Sequence, residues 1–418
     1  MNVMILFDII TVVLLSVLLF WALYNGSIIY MGIKSKRKEV RFQAVGIGEL
    51  PKISLIVPTK NEDLVIKRCL DGILDLDYPK DKLEVIVVDG NSNDETCKIC
   101  SEYSKQHPNM IKIIVEKKSK GKPAALNLGL SVSTGEIVGL FDADSLPKQD
   151  ALNKVVSYFN DKKIVAVQGR TTSLNEKSNA LTRVIAMEEK AWFQMLLSGR
   201  EKLHLFVPLN GSCQFVKRSV LMDVGGWDEN SLTEDVELAV RLVEKNHVIK
   251  YAPDVCSGQE TPNRLGSLFE QRMRWYRGYM ETALKYGRLL DKLNRRTVDA
   301  EISLVGPFMM VVSLMSYLNW FFVAFFILDS TAFIDFTGII IALTAVSLVS
   351  IGVALTASER PIKLGNIVWI PTIYFYWLMQ MFIAGWAFLN LIFRRKRIWK
   401  KTAKIGVTTN DVSTTGLF

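Results

Sequence analysis

Apolar residues are gathered in blocks at the two ends of the chain. Residues 9–24 are apolar apart from Thr11 and Ser16, and the run continues almost to Ile33. That length spans a bilayer. Three further apolar blocks follow at 303–328, 337–356 and 367–393, the last rich in aromatic residues and carrying Pro371. Between the ends the pattern changes. ISLIVPT (53–59), LEVIVVDG (83–90), IKIIVE (111–116), EIVGLFDAD (136–144) and IVAVQG (164–169) are short runs rich in Ile and Val, and they predict buried strands. Amphipathic stretches at 63–76, 94–107 and 123–131 predict helices between them. This alternation implies an α/β domain whose mainly parallel sheet is covered on both faces. Ligands of such sheets bind beyond the carboxyl ends of the strands. Thr59, Asp89 and Asp142 each close an apolar run and so fall at that edge.

After Ser257 a basic, aromatic-rich segment, LFEQRMRWYRGYMETALKYGRLL (268–290), predicts a helix in the membrane interface. The expected organisation is an N-terminal transmembrane anchor (1–33), a globular α/β domain (34–256) and interfacial helices (257–302). C-terminal transmembrane or interfacial helices (303–393) and a basic tail (394–418) complete it. No internal repeat is visible.

Composition narrows the class. The chain has 418 residues, 49% hydrophobic, with a mean hydropathy of +0.20, which excludes disordered and collagen-like chains. The central stretch of roughly 270 residues suffices for one or two domains with a full core. Net charge is +9, and its placement carries the information. Lys34, Lys36, Arg37, Lys38 and Arg41 follow the first apolar run. Arg394, Arg395, Lys396, Arg397, Lys400, Lys401 and Lys404 follow the last. Basic clusters beside apolar runs mark the cytoplasmic side and contact with anionic membrane lipids. The expectation is an integral protein of the cell (plasma) membrane with its N-terminus outside and its catalytic domain cytoplasmic. The opening MNVMILFD lacks the basic start of a cleaved signal, so the first run reads as a retained anchor. If all three C-terminal blocks crossed, the basic tail would land outside. One block, part of 367–393, is therefore expected not to cross simply, with Pro371 breaking a helix there. The globular part has no basic stripe interleaved with aromatics, so no nucleic-acid partner is expected.

Five cysteines form no disulfide framework. Cys97 and Cys100 read as buried small side chains on a helix, and three histidines show no ligand spacing.

Five constellations could carry chemistry. Asp89, in VVDGNSNDET, could accept a hydrogen bond from a base N–H, or simply shape a turn. Asp142 and Asp144 in FDADS point the same way on extended chain, and a hard cation, Mg²⁺ or Mn²⁺, bridging to a diphosphate would compensate them. The plainer reading is a solvated loop. Lys122 precedes Pro123 at a helix start, a favourable place for an anion, or a plain charged loop. Thr233 reads as an N-cap with Glu234, Asp235 and Glu237 in the first turn, where acids offset the helix dipole without further function. Gln271, Arg274 and Trp275 share one helical face and could hold a diphosphate and stack a sugar, or anchor the helix at the interface.

In this order, VPTKNE (57–62), DGNSND (89–94), KGKPAALN (120–127), DAD (142–144), TED (233–235) and QxxRW (271–275) resemble the family 2 membrane glycosyltransferases. The resemblance covers about residues 51–280. Within the family it leans toward processive synthases of cellulose, poly-N-acetylglucosamine, hyaluronan and chitin. It implies a GT-A fold over 34–256 and inverting transfer from a UDP-sugar to a growing β-linked polysaccharide, coupled to translocation. Thr59, Glu62 and Asp89 would line the nucleoside pocket and Lys122 would touch the phosphates. Asp142 and Asp144 would handle nucleotide and metal, and Asp235 would be the general base. Gln271, Arg274 and Trp275 would stand at the mouth of the acceptor channel. TEDVEL stands where hyaluronan and chitin synthases show a GDDR-like segment, which favours the cellulose and poly-N-acetylglucosamine side. WKKT (399–402) resembles a terminal W-x-x-T motif of some synthases. The rival keeps the chemistry but transfers one sugar to a lipid, as ceramide glucosyltransferase-like enzymes do. A non-catalytic nucleotide-sugar-binding protein is disfavoured by intact Asp142, Asp144, Asp235 and Arg274.

Overall fold

Alternate residues of the first two predicted strands are buried on opposite faces of one sheet. Ile53, Leu55, Val57, Val85 and Val87 pack with the helix Ile66–Leu74. Ile56, Ile86 and Val88 pack with Leu126 and Leu130 of the helix Lys122–Val132 on the other side. Burial on both faces is why these runs are apolar throughout. The computed structural model describes residues 3–35, 50–287, 294–326, 364–397 and 402–407. Its strands, in chain order, are β1 (Ile53–Thr59), β2 (Leu83–Asp89), β3 (Ile111–Val115), β4 (Ile137–Leu140), β5 (Leu146–Pro147), β6 (Ile164–Ser173), β7 (Gln214–Lys217) and β8 (Val248–Gln259). They form one eight-stranded sheet in the order β3-β2-β1-β4-β7-β6-β8-β5.

The half β3-β2-β1-β4 is parallel, as expected. Its register pairs Thr59 with Asp89, so the carboxyl ends of the strands share one edge. Beyond β4 the sheet is mixed. β7 inserts antiparallel between β4 and β6, β8 runs parallel to β6, and β5 closes the edge antiparallel to β8. β7 is only four residues long. β8 carries Pro253, and its pairing with β6 changes register between Tyr251 and Cys256. Proline removes a ladder donor and interrupts the run, so neither strand shows in the apolar pattern. Cys100 is fully buried in the core and all five cysteines are free.

Among the described residues, two helices are long and apolar enough to cross a membrane, Phe7–Lys34 and Ile367–Ile392, or three if the pair Arg295–Leu304 and Gly306–Phe322, bent by 44°, makes one span. Pro371 does not interrupt the last helix. It sits in the first turn of a continuous helix, Ile370–Ile392, after a 3₁₀ segment, where its missing N–H is not needed. The block 337–356 lies outside the described residues, as do Trp399 to Lys401.

The N-terminal helix Val3–Lys34 is fastened to the globular domain by close approach and by charge. A Cβ on Gly199 would lie 2.0 Å from the Ile28 carbonyl oxygen, and one on Gly32 would lie 2.0 Å from that of Met195. Beside this crossing, the Tyr24 hydroxyl donates to Asp299 Oδ1 (2.5 Å) and Arg200 Nη1 pairs with Asp299 Oδ2 (2.6 Å). The helix Leu265–Tyr286, which carries QxxRW, packs on the C-terminal helix through Tyr276, Ile383, Ala384 and Ala387. Tyr276 donates to Gln380 Oε1 (2.8 Å), and Arg272 pairs with Glu188, which also accepts from the Tyr376 hydroxyl (2.7 Å).

Candidate active site

The carboxyl edge of β1, β2 and β4 opens onto a cavity of about 1690 Å³ that continues between the N-terminal helix and the C-terminal helices. Thr59, Glu62, Lys122, Asp142, Asp144, Asp235, Gln271, Arg274 and Trp275 all line it. Four parts of the chain, 59–62, 122–144, 235 and 271–275, are thus brought to one space. Asp89 is the exception. It stands level with Thr59, but its carboxylate is fully buried and accepts from the Ser92 N–H (2.9 Å) and hydroxyl (2.5 Å). The turn-forming role is realised there, and Gly90 forms the cavity wall.

Lys122 opens its helix, and its ammonium bonds Asp142 Oδ1 at 2.6 Å and the Gly211 carbonyl at 2.9 Å. Glu234 stands 3.7 Å away. Burial opposes its charge, but Asp142 and Glu234 outweigh burial and raise the Lys122 pKa. Gly211 lies between the lysine and the acid. A Cβ there would stand 3.1 Å from Asp235 Oδ2 and 3.4 Å from Lys122 Nζ, and its φ of +71° lies in the left-handed region that favours glycine.

The acids of TEDVEL separate by environment. Glu237 is buried and held by Arg241, Lys285 and the Tyr286 hydroxyl. Glu234 faces Lys122. Asp235 faces the cavity, and burial, then the Glu234 charge, pushes its pKa from 3.8 up to about 7. Thr233 holds the N-cap position, but its side chain makes no capping bond. From the membrane side, Arg274 Nη1 reaches the Leu232 carbonyl (3.4 Å), and the Arg272 guanidinium lies 4.5 Å from the Trp275 ring centroid.

Asp144 is buried and already paired. Its Oδ2 accepts from Lys404 and from the Glu260 N–H (2.9 Å), and its carbonyl accepts from Arg68 (3.0 Å). Burial alone would raise its pKa; Lys404 and the Glu260 N–H overcome this and hold it below the usual carboxylate range. Glu260, Arg68, Lys404 and Gly211 carry no sequence signature. Lys404 shows only as one of a basic cluster. Glu189, also on the cavity wall, is pushed up to about 8 by burial, and its Oε2 has no partner.

Several buried polar atoms along this wall lack partners: Thr59 Oγ1, Asn210 Nδ2, Thr233 Oγ1 and Arg274 Nε. Orphaned polar groups are rare in native interiors, and a bound ligand or ordered water would satisfy them. As for a cation, Asp142 and Asp144 offer the hard oxygen donors that Mg²⁺ or Mn²⁺ takes. Among the described residues, no group of three or more His, Cys, Asp or Glu could hold a metal, so the remaining ligands would come from the diphosphate and water.

A parallel sheet edge bearing a lysine and paired aspartates, facing a raised-pKa acid across a membrane-side cavity, defines a nucleotide-sugar transferase of the GT-A kind. Residues 51–278 match the family described as glycosyltransferase like family 2, and the chain belongs to that family. It is 35% identical over 254 residues to "Probable glycosyltransferase YdaM" of Bacillus subtilis, covering 60% of each chain. It is 35% identical over 251 residues to beta-monoglucosyldiacylglycerol synthase of Trichormus variabilis, covering 59% of this chain and 52% of that one. The match thus spans little more than half the length of these relatives. Identity to poly-beta-1,6-N-acetyl-D-glucosamine synthase of Staphylococcus epidermidis is 27%, over 89% of this chain and 91% of that one. Among solved structures, mannosyltransferase PcManGT from Pyrobaculum calidifontis, in complex with GDP-Man and Mn²⁺, shares the GT-A fold. The TM-score is 0.64 at 22% identity, over 93% of this chain and all of that one.

Proposed function

We propose that this chain transfers a sugar from a UDP-sugar, with inversion, to a growing β-linked polysaccharide that leaves through the membrane-side cavity. The observation that carries this reading is the convergence of Lys122, Asp142 and Asp235 on one cavity that continues between the apolar helices. The acceptor hydroxyl attacks the anomeric carbon, Asp235 takes its proton, and the bond to the diphosphate breaks with its electron pair on UDP. A pKa near 7 suits a general base working at neutral pH. Lys122 and Arg274 meet the negative charge growing on the leaving diphosphate. Mg²⁺ or Mn²⁺, held by Asp142 and Asp144, would supply further charge neutralisation there. Thr59 and Glu62 would hold the nucleoside, with Asp89 shaping its pocket through the Ser92 turn. Gln271 and Trp275 would receive the acceptor. The basic clusters support a cytoplasmic catalytic domain.

The likeness to poly-beta-1,6-N-acetyl-D-glucosamine synthase along most of both chains supports a polymer. A second reading, one sugar to a lipid, draws support from the aliphatic wall of Leu15, Leu18 and Leu19 and from the likeness to beta-monoglucosyldiacylglycerol synthase. Incubation of membranes with a panel of radiolabelled UDP-sugars, followed by product sizing, tests both. Labelled polymer is expected. A labelled glycolipid would replace the first reading by the second, and neither product would overturn both.

A further inference from the structure

The helix Ala180–Ala191 starts at a capping box formed by Asn179 and Thr182 and runs through a π-helical turn, Trp192–Leu197, into Ser198–Lys202. Met195 and Gly199 of this rod touch Gly32 and Ile28 of the N-terminal helix, with no room for a Cβ on either glycine. The rod is thereby fixed beside the cavity. Wide turns of this kind often accompany functional sites, and here Glu188, Glu189, Trp192 and Leu196 all line the cavity. The two adjacent acids differ in their partners. Glu188 Oε2 pairs with Arg272 and accepts from the Tyr376 hydroxyl (2.7 Å). Arg272 also reaches that hydroxyl (3.2 Å) and lies over the Trp275 ring. Its guanidinium is engaged by Glu188, Tyr376 and Trp275, and Glu189 Oε2 is buried without a hydrogen-bond partner. The charges around Glu189 are Arg272, Glu188, Lys404 and Asp144. It therefore stands between DAD and the helix that carries QxxRW. Burial holds its carboxyl protonated at neutral pH, and a neutral carboxyl offers one donor and further acceptor capacity. A sugar hydroxyl, itself donor and acceptor, matches that pair. A cationic ligand would meet Arg272 and Lys404, and an anionic sugar would meet Glu188 and Asp144.

We propose that Glu189 is a specificity-determining residue that hydrogen-bonds a hydroxyl of the acceptor's terminal sugar and selects acceptors uncharged at that unit. Its place on the Trp275 side of the cavity assigns it to the acceptor, since Arg272 joins Trp275, Glu188 and Tyr376 into one wall. Glu188, bonded within that wall, orients it, and Glu189 is the acid left for the ligand. This rests on the reading of the cavity as a site of sugar transfer.

The test uses the full chain in detergent and calorimetry with neutral β-linked tetrasaccharides of glucose and of N-acetylglucosamine. Wild type should bind at least one of them, and bind its counterpart ending in glucuronate at least about tenfold more weakly. Glu189→Ala should weaken binding of the neutral tetrasaccharide at least about tenfold, the effect of one lost hydrogen bond. Glu189→Gln keeps a donor and an acceptor and should stay within about threefold of wild type. In turnover, Glu189→Ala should raise the acceptor KM at least about tenfold more than the UDP-sugar KM. Unchanged tetrasaccharide binding in Glu189→Ala, or equal shifts of both KM values, would overturn the proposal. Equal binding of the glucuronate-ended counterpart would overturn the selection. UDP release to water by wild type, with no tetrasaccharide bound, would overturn the acceptor role and leave the transferase reading standing. Tetrasaccharide binding that is lost in Glu189→Ala, with no UDP released from any UDP-sugar, would keep the saccharide contact and overturn the transferase reading. Neither binding nor release in wild type would overturn both. Should Glu189→Ala fail to fold, Glu189→Met, of similar length and without a polar hydrogen, takes its place.

Discussion

Glu234, Asp235 and Glu237 occupy one helical turn and differ only in what faces them. Side-chain type and spacing are the same for a dipole-compensating acid and a base, so the sequence leaves the choice open. The structure separates their surroundings: Asp235 lines the cavity, and Glu237 is held by Arg241, Lys285 and Tyr286. Asp235→Asn should lower turnover by about 10²–10⁴-fold while leaving UDP binding nearly intact, measured by transfer rate and calorimetry. With Asp235 as the proposed base, its ionised form is the active one, and the wild-type rate should climb with pH to half its plateau near pH 7. Linkage adds a second outcome. The folded-state pKa lies above the ordinary 3.8, so this carboxyl's contribution to stability is full below 3.8 and is lost as pH rises through about 7. The melting temperature of Asp235→Asn in detergent should therefore gain on wild type between those pH values and then level off. Trp275→Ala should reduce transfer to extended acceptors far more than hydrolysis of the donor, because the indole lines the cavity and the proposed proton acceptor is elsewhere. Equal loss of both would assign it to packing with Arg272.

At the scale of elements, the strands buried on both faces were legible, and β7 and β8 were not. A four-residue strand has too few positions for a pattern, and an antiparallel insertion depends on where the preceding helices return the chain. The seat of the N-terminal helix was also hidden, because its determinants are two glycines and one ion pair contributed by separate segments. Asp299→Asn leaves Arg200 buried beside Tyr24 without its charge partner and should cost about 3–5 kcal/mol, read as a lower melting temperature in detergent. Replacing both Arg200 and Asp299 by apolar residues of similar volume should recover most of that loss. If the single and double variants melted alike, the pair would not be what fastens the helix.

At the scale of the molecule, the sidedness of the C-terminal tail follows from the helices and the contacts of 402–407. The continuous helix Ile370–Ile392 is long enough to cross, so the expected interruption at Pro371 is replaced by an ordinary helix start. The positive-inside bias still favours a cytoplasmic tail, and the contact of Lys404 with Asp144 puts 402–407 on the same side as the donor edge. A single cysteine at Thr414, in a variant without native cysteines, should resist an impermeant thiol reagent applied to intact cells. Labelling from outside would refute that sidedness.

By itself, the sequence determined the apolar ends, the parallel half of the sheet and the polar residues that close its strands. These depend on periodicity and on residues adjacent in the chain, which local patterns record. Only the tertiary structure decided that Asp89 serves a turn, that Asp235 faces the cavity where Glu237 does not, and that Glu260 and Arg68 hold 402–407 over Asp144. Such roles depend on which charges and carbonyls stand within a few ångströms across segments hundreds of residues apart, and no local pattern encodes that proximity.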